Sequence, residues 1–342
     1  MVSALNPLAA AVLIAASAAV TAALIVVLRP LLVRYALARP NARSSHTIPT
    51  PQGGGIAIVL TVLAAIAAAA VFGLPGSREL PLAVIALAVL VLAVIGTVDD
   101  IRPLPVLPRL AGQLLVAAAL IAVLPAEARA LPILPLALER IVLIIGLVWF
   151  INLTNFMDGI DWMTVVEAVP ILTVLVVLAM SGLVPARSAM LVPALALLGG
   201  LLGFAPFNRH VAKLFLGDVG SLPVGMLLGW LLIVLASDGF LIAALILPLY
   251  YLADATLTLI WRFHRGERVS EGHRSHFYQT AVRLGFSVPR VTAMVFALNV
   301  VLAVLATLAA MANALMAQLV LLAIAALATA LVLREFARGP RR

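Results

Sequence analysis

The sequence predicts an all-α polytopic membrane protein of about eleven transmembrane helices, and three observations carry that prediction. Apolar residues fill 65% of the 342 positions and charged residues only 11%, against about 25% charged in a soluble domain. The mean hydropathy of +1.22 is spread over long runs separated by short stretches of charge, proline and glycine. Basic residues then sort to alternate loops. Of the 22 Lys and Arg, only Arg78, Arg129, Arg140 and Arg187 fall on one side, which makes the other side cytoplasmic.

The spans follow in order at about 8–28, 56–73, 82–98, 110–124, 141–153, 163–181, 188–205, 221–236, 241–260, 290–312 and 314–333. The first run has no basic segment before it and is followed by Arg29 and Arg34. A cleaved signal peptide has the reverse polarity, so a retained helix with a periplasmic N-terminus is expected. The last two spans are separated by little more than Asn313, which predicts a tight helical hairpin and a cytoplasmic C-terminus. Residues 1–342 read as a single integral-membrane domain, with cytoplasmic loops at about 29–55, 99–109, 154–162, 206–220 and 261–289. The chain has no cysteine, which excludes disulfides and thiolate metal sites. Its net charge of +8 comes almost wholly from arginine, Lys213 being the only lysine. In so apolar a chain that excess reports topology and anionic headgroups, and no nucleic-acid partner is expected.

Carboxylates are costly in such a sequence, yet five aspartates gather where spans end on the cytoplasmic side. Asp99 and Asp100 close one span, Asp158 and Asp161 follow another, and Asp218 precedes a third. Adjacent carboxylates at a membrane surface repel, so Asp99 and Asp100 call for a cation or a phosphate-bound metal, with Arg109 close by. In NLTNFMDGIDW, a helical reading puts Asn152, Asn155, Asp158 and Asp161 along one edge. In AKLFLGDVGSL, Asp218 sits in a glycine-flanked turn with Ser221 opening the next helix, a pairing suited to magnesium plus phosphate. Gly53, Gly54 and Gly55 in PTPQGGG remove Cβ atoms at a helix start, where backbone N–H groups could approach a phosphate; a flexible turn is the plainer reading. EGHRSHFYQ offers His273, Arg274, His276 and Tyr278 for anion binding, with zinc as the competing reading. His46, His210 and His264 are loop residues without a comparable signal, and Glu167 reads as a hydrogen-bonded support inside a span.

These five motifs, in this order and spread over almost the whole chain, resemble the polyprenyl-phosphate N-acetylhexosamine-1-phosphate transferases. That family, glycosyltransferase family 4, includes the initiators of O-antigen and teichoic-acid synthesis and the phospho-MurNAc-pentapeptide translocase. The HRSH run with its following aromatic and Tyr-Gln pair is most similar to the O-antigen-initiating branch, while Lys213 echoes the peptidoglycan branch. Trp162 departs from the pattern, standing where many relatives carry glycine, and puts the turn after Asp161 in question.

The resemblance implies a multi-pass enzyme of the bacterial inner membrane. It would move an N-acetylhexosamine-1-phosphate from a UDP-N-acetylhexosamine to undecaprenyl phosphate, release UMP and begin a cell-envelope polysaccharide. Magnesium, with manganese as substitute, would sit on Asp218 and Asn155. Asp99 and Asp100 would orient the lipid phosphate beside Arg109, and Asp158 and Asp161 would organise the metal–nucleotide region. His273, also placed among the catalytic groups, would grip the sugar diphosphate with Arg274 and His276. Gly54, Gly55, Asn152 and Lys213 would complete the substrate contacts. A homodimer is allowed by the likeness. The rival reading is an ion- or proton-coupled transporter, which would place its acids near the bilayer midplane rather than at span ends.

Overall fold

The computed structural model describes residues 6–38, 49–74, 80–185, 188–267 and 273–340. The chain forms thirteen α-helices among these residues, joined by short connections. The first eight are α1 (Pro7–Tyr35), α2 (Gly55–Val71), α3 (Leu80–Ile101), α4 (Val106–Ala122), α5 (Leu136–Met157), α6 (Met163–Met180), α7 (Ser188–Phe204) and α8 (Asp218–Leu235). They are followed by α9 (Leu241–Ile246), α10 (Leu249–His264), α11 (Phe277–Arg283), α12 (Val288–Met311) and α13 (Leu315–Arg338). Two-residue strands β1 (Leu37–Ala38) and β2 (Thr50–Pro51) pair antiparallel, with Leu37 opposite Pro51.

By length and composition, seven stretches among the described residues can cross a membrane, and three shorter apolar helices accompany them. Helix α8 is the axis of the bundle. In the stretch running from α8 into α9, 94% of the apolar window is buried, against 17% in α1 and 11% in α13. Glycine explains how neighbours come so close. A Cβ on Gly55 of α2 would lie 2.2 Å from Gly220 Cα, and one on Gly96 of α3 would lie 2.2 Å from the Asp218 carbonyl oxygen. Within the bilayer such small residues let backbones meet where lipid supplies no hydrophobic drive between helices. At the rim, Gly199 and Gly203 of α7 do the same against α1.

Several predicted spans change shape. Residues 236–240 form a wide turn in which Gly239 takes φ 97°, and α9 packs back against α8, so the stretch from Asp218 to Ile246 is not one straight rod. The span expected over 241–260 is broken at Leu247 and Pro248 into α9 and α10, because proline lacks the N–H that would continue the ladder. Helix α5 runs on to Met157, which places Asn155 on the helix rather than in the following loop. The hairpin expected near Asn313 is present, with α12 and α13 packed together across Ala312–Ala314.

Candidate active site

The N-terminus of α8 is the point on which the acids converge. Gly217 precedes it at φ 75°, a conformation that favours glycine, and a Cβ there would lie 2.7 Å from Asp100 Oδ2. Into that space α3 delivers its last turn. The Asp100 carboxylate accepts from Asp218 N at 2.9 Å and Val219 N at 3.0 Å, capping two of the amides that open α8. Its own carbonyl oxygen accepts from Gln52 Nε2 at 3.1 Å, which ties the first motif to the second.

Asp99, the next residue back, closes the loop between α3 and α4. It accepts from Leu104 N at 2.5 Å and from Arg109 Nη1 at 2.9 Å. Its carboxyl also shares a hydrogen bond with that of Asp218. Asn155 completes the cluster, donating to Asp218 Oδ1 at 2.7 Å and to Ser221 Oγ at 2.8 Å. Asn155 therefore acts here as a donor, and only its amide oxygen could ligate a metal. Arg109 Nε is buried with no hydrogen-bond partner among the described residues, a cationic donor left for an anion.

Two carboxyls in contact require a shared proton or a cation between them, so the Asp99–Asp218 pair fits a hard divalent ion. No three His, Cys, Asp or Glu among the described residues are grouped to hold a metal by themselves. A magnesium ion at the Asp99–Asp218 pair would take those carboxylates and complete its shell with water and substrate phosphate.

The third motif departs from the expected helical edge. Helix α5 ends at Met157, so Asp158 and Asp161 lie beyond it and do not continue the line of Asn152 and Asn155. Asn152 is buried, exchanging hydrogen bonds with Gln113 of α4 and donating to the Val148 carbonyl oxygen at 2.8 Å. It joins two helices, and those bonds occupy the amide expected to meet substrate. Asp158 accepts from Thr164 Oγ1 at 2.5 Å. Desolvation pushes its carboxyl up to about 7, with the Asp100 and Asp161 charges adding to the rise and the Thr164 bond opposing it. Asp161 Oδ2 meets His210 Nδ1 at 2.7 Å and Ala212 N at 3.1 Å, which pins the α7–α8 connection.

Trp162 resolves the turn that its identity put in question. It adopts φ 66°, the left-handed conformation in which glycine is at ease, and the turn into α6 is kept. Its backbone N–H donates to Asn208 Oδ1 and its indole N–H to the Ala205 carbonyl oxygen, both at 2.7 Å.

The first motif is also reassigned. Gly54 N and Gly55 N donate to the carbonyl oxygens of Phe215 and Leu216, each at 2.9 Å. These two amides are spent on packing α2 against the turn before α8, so they are not the free phosphate donors expected. Residues 39–48, His46 of that motif included, lie outside the described residues, as do 268–272, which include the first two residues of the fifth motif.

The fifth motif docks onto the third through α11. Tyr278 OH donates to the Phe156 carbonyl oxygen at 3.0 Å, and a Cβ on Gly159 would lie 2.1 Å from that hydroxyl. The His276 ring stacks against Phe156 and Tyr278, with centroids at 6.3 and 5.8 Å. Burial, then the neighbouring His276 and Arg262, push His273 down to about 4, so it is neutral at pH 7 and can bond to a phosphate only as an uncharged imidazole. Arg274 lies in the same segment, and Lys213 is exposed on the α7–α8 connection.

The sequence motifs left out Thr164, Asn208, His210 and Asp254, all of which hold site residues in place, and they gave no role to Gln52 of the first motif. Only Asp254 carried a signal, as a lone acid inside an apolar span.

The structure thus joins all five motifs at one end of the bundle. The family model described as glycosyl transferase family 4 matches residues 82–236, which contain all five of the clustered aspartates. The chain is 27% identical over 301 residues to a decaprenyl-phosphate N-acetylglucosaminephosphotransferase of Mycobacterium leprae, covering 76% of this chain and 73% of that protein. It is 32% identical over 224 residues to the protein of that name in Mycolicibacterium smegmatis, covering 59% and 54%. A phospho-N-acetylmuramoyl-pentapeptide-transferase of Carboxydothermus hydrogenoformans is 36% identical over 114 residues, a third of each chain (33%). With the five acids inside the matched region and relatives of two related activities, the chain is similar to glycosyl transferase family 4 over its central part, residues 82–236.

Proposed function

We propose that the protein transfers an N-acetylhexosamine-1-phosphate from a UDP-sugar to a polyprenyl phosphate, releasing UMP. The acceptor in a bacterial inner membrane would be undecaprenyl phosphate, and the product would begin a cell-envelope polysaccharide, O-antigen on our reading of the fifth motif. The observation that carries this proposal is the Asp99–Asp218 carboxyl pair at the amide-rich start of α8, with Asn155 and Ser221 beside it. The names of the relatives support the reaction class.

A lipid phosphate oxygen would attack the phosphorus nearest the sugar, and the bond from that phosphorus to UMP would break. Both reactants are anionic, so the site must neutralise and align them. Magnesium bound by Asp218 and Asp99, with the Asn155 oxygen as a further ligand, would supply part of that neutralisation. The chain's own groups do the rest. Arg109 would meet the acceptor phosphate with its unpartnered Nε–H, and Asp99 holds that guanidinium in place. Asp100 acts through α8, fixing the turn that carries Asp218. A phosphate monoester has a second pKa near ~6 and is largely dianionic at neutral pH, so proton removal is a smaller task than positioning.

Purified protein with magnesium, undecaprenyl phosphate and a panel of UDP-N-acetylhexosamines tests the reading. UMP should appear in step with lipid-linked sugar, and labelled UMP should exchange into UDP-sugar, because one pyrophosphate link replaces another. Asp218→Asn should lower turnover by on the order of 10²–10³-fold with the fold intact. Release of UDP, which marks attack at the sugar carbon, would overturn the proposal.

A further inference from the structure

We propose that Asp254, which lies outside every motif, is a positioning residue that fixes the His276 imidazole and the start of α11 so that His276 offers its Nε2 to the donor substrate. This rests on the reading of His276 as a donor-binding group.

Asp254 is on α10 and is fully buried, at 0% exposure. An unpaired carboxylate could not be kept there, and this one is saturated with donors. It accepts from Phe277 N at 3.0 Å and Tyr278 N at 3.1 Å, and its Oδ1 lies 3.2 Å from His276 Nδ1. Tyr250 OH at 3.2 Å and Thr258 Oγ1 at 3.4 Å, one helical turn to either side on α10, complete the set. Three of these five donors belong to consecutive residues of the fifth motif, so a single carboxylate sets the position of the whole segment.

The contact with His276 goes beyond holding a helix. Which imidazole nitrogen carries the proton is decided by the partner of the other, and a carboxylate on Nδ1 demands a proton there. Nε2 is then the only ring nitrogen left for a ligand. The ring has little freedom to turn away, being 2% exposed and packed against the rings of Phe156, Tyr278 and His273. Phe156 directly follows Asn155, the residue bonded to Asp218, so the orientation set from α10 is passed to within one residue of the acid cluster. An aspartate that orients a working histidine is a recurring arrangement, but here it also begins the helix that carries that histidine's neighbours.

Two measurements decide the proposal. The first uses the unmodified protein, labelled with ¹⁵N-histidine in lipid nanodiscs, with the His276 signals assigned by their loss in His276→Gln. A proton on Nδ1 is expected. A neutral ring protonated only on Nε2 would overturn the proposal, and this readout needs neither turnover nor a folded Asp254 variant. The second compares Asp254→Asn, His276→Gln and the double variant at equal folded amounts. Asp254→Asn should raise KM for the UDP-sugar about tenfold while leaving KM for the lipid phosphate within about twofold. The double variant should be no worse than His276→Gln alone. Losses that multiply would show that Asp254 acts independently of His276, against the proposal. If the unmodified protein turns over no UDP-sugar, the reaction proposed above fails while the tautomer measurement still decides the Asp254–His276 pairing.

Discussion

Asp158 and Trp162 show at the scale of single residues what the site requires of its surroundings. Asp158, with its carboxyl held near a pKa of about 7, is favoured by folding in its neutral form. Its contribution to stability is complete below about pH 4, the ordinary aspartate value, and is lost as pH rises through about 7. Melting temperature should therefore fall between about pH 4 and about pH 7 in substrate-free protein and level off above that, and Asp158→Asn should flatten that part of the profile. A profile unchanged by the substitution would remove Asp158 as its source. Trp162 makes a different demand. A non-glycine residue in the left-handed region costs about 1 kcal/mol or more, which the indole and backbone hydrogen bonds offset. Trp162→Ala loses the ring contacts and keeps the strain, whereas Trp162→Gly loses both. The glycine variant should be the more stable of the two by about 1 kcal/mol, measured by denaturant or thermal unfolding. The sequence marked Trp162 as a departure, but the direction of its φ depends on Asn208 and Ala205, more than forty positions away, and could not be read locally.

Elements, rather than single residues, explain why some expectations failed. Asn152, Asn155, Asp158 and Asp161 share a spacing of three, and that spacing is helical only as far as Met157. The Gly159–Tyr278 contact ends the regularity, and it comes from a segment over a hundred residues downstream. Helix α11 has seven residues in a polar loop, too few for periodicity to report, and it is held by a buried acid on a neighbouring helix. The glycines of the first motif were visible, but their purpose was not, since a backbone close to phosphate and a backbone close to another helix ask for the same residue. Their packing role can be tested. In Gly55→Ala the added methyl would meet the Gly220 backbone, which cannot swing aside as a side chain could. The α2–α8 contact must open, and melting temperature should drop by several degrees, corresponding to about 1–3 kcal/mol. Gly146→Ala on α5 meets nothing within 4 Å and serves as the matched control, with no loss expected.

At the scale of the whole molecule, most of the architecture was legible because the bilayer imposes it. Apolar run length, basic asymmetry and clustered acids are constraints that each stretch of chain must satisfy alone. The order of helices around α8 is a collective property and was not legible. The proposed topology places Ser181, at the end of α6, outside and Ser287, just before α12, in the cytoplasm; both are exposed. With no native cysteine, single cysteines at these positions report without background. In intact cells an impermeant reagent should label Ser181→Cys and spare Ser287→Cys, and the opposite pattern would invert the orientation.

Enclosure of α8 on all sides also divides the molecule by timescale. Its amide hydrogens should exchange only when the bundle separates, because α2 and α3 lie directly against its backbone and α5 packs Thr154, Leu147 and Phe150 onto Gly225 and Gly229. The acid-bearing turn is therefore the still part of the machine. On the proposed function, admission of a nucleotide sugar and departure of a lipid product would fall instead to the side of α11, a single short helix whose start is held by the Asp254 carboxylate.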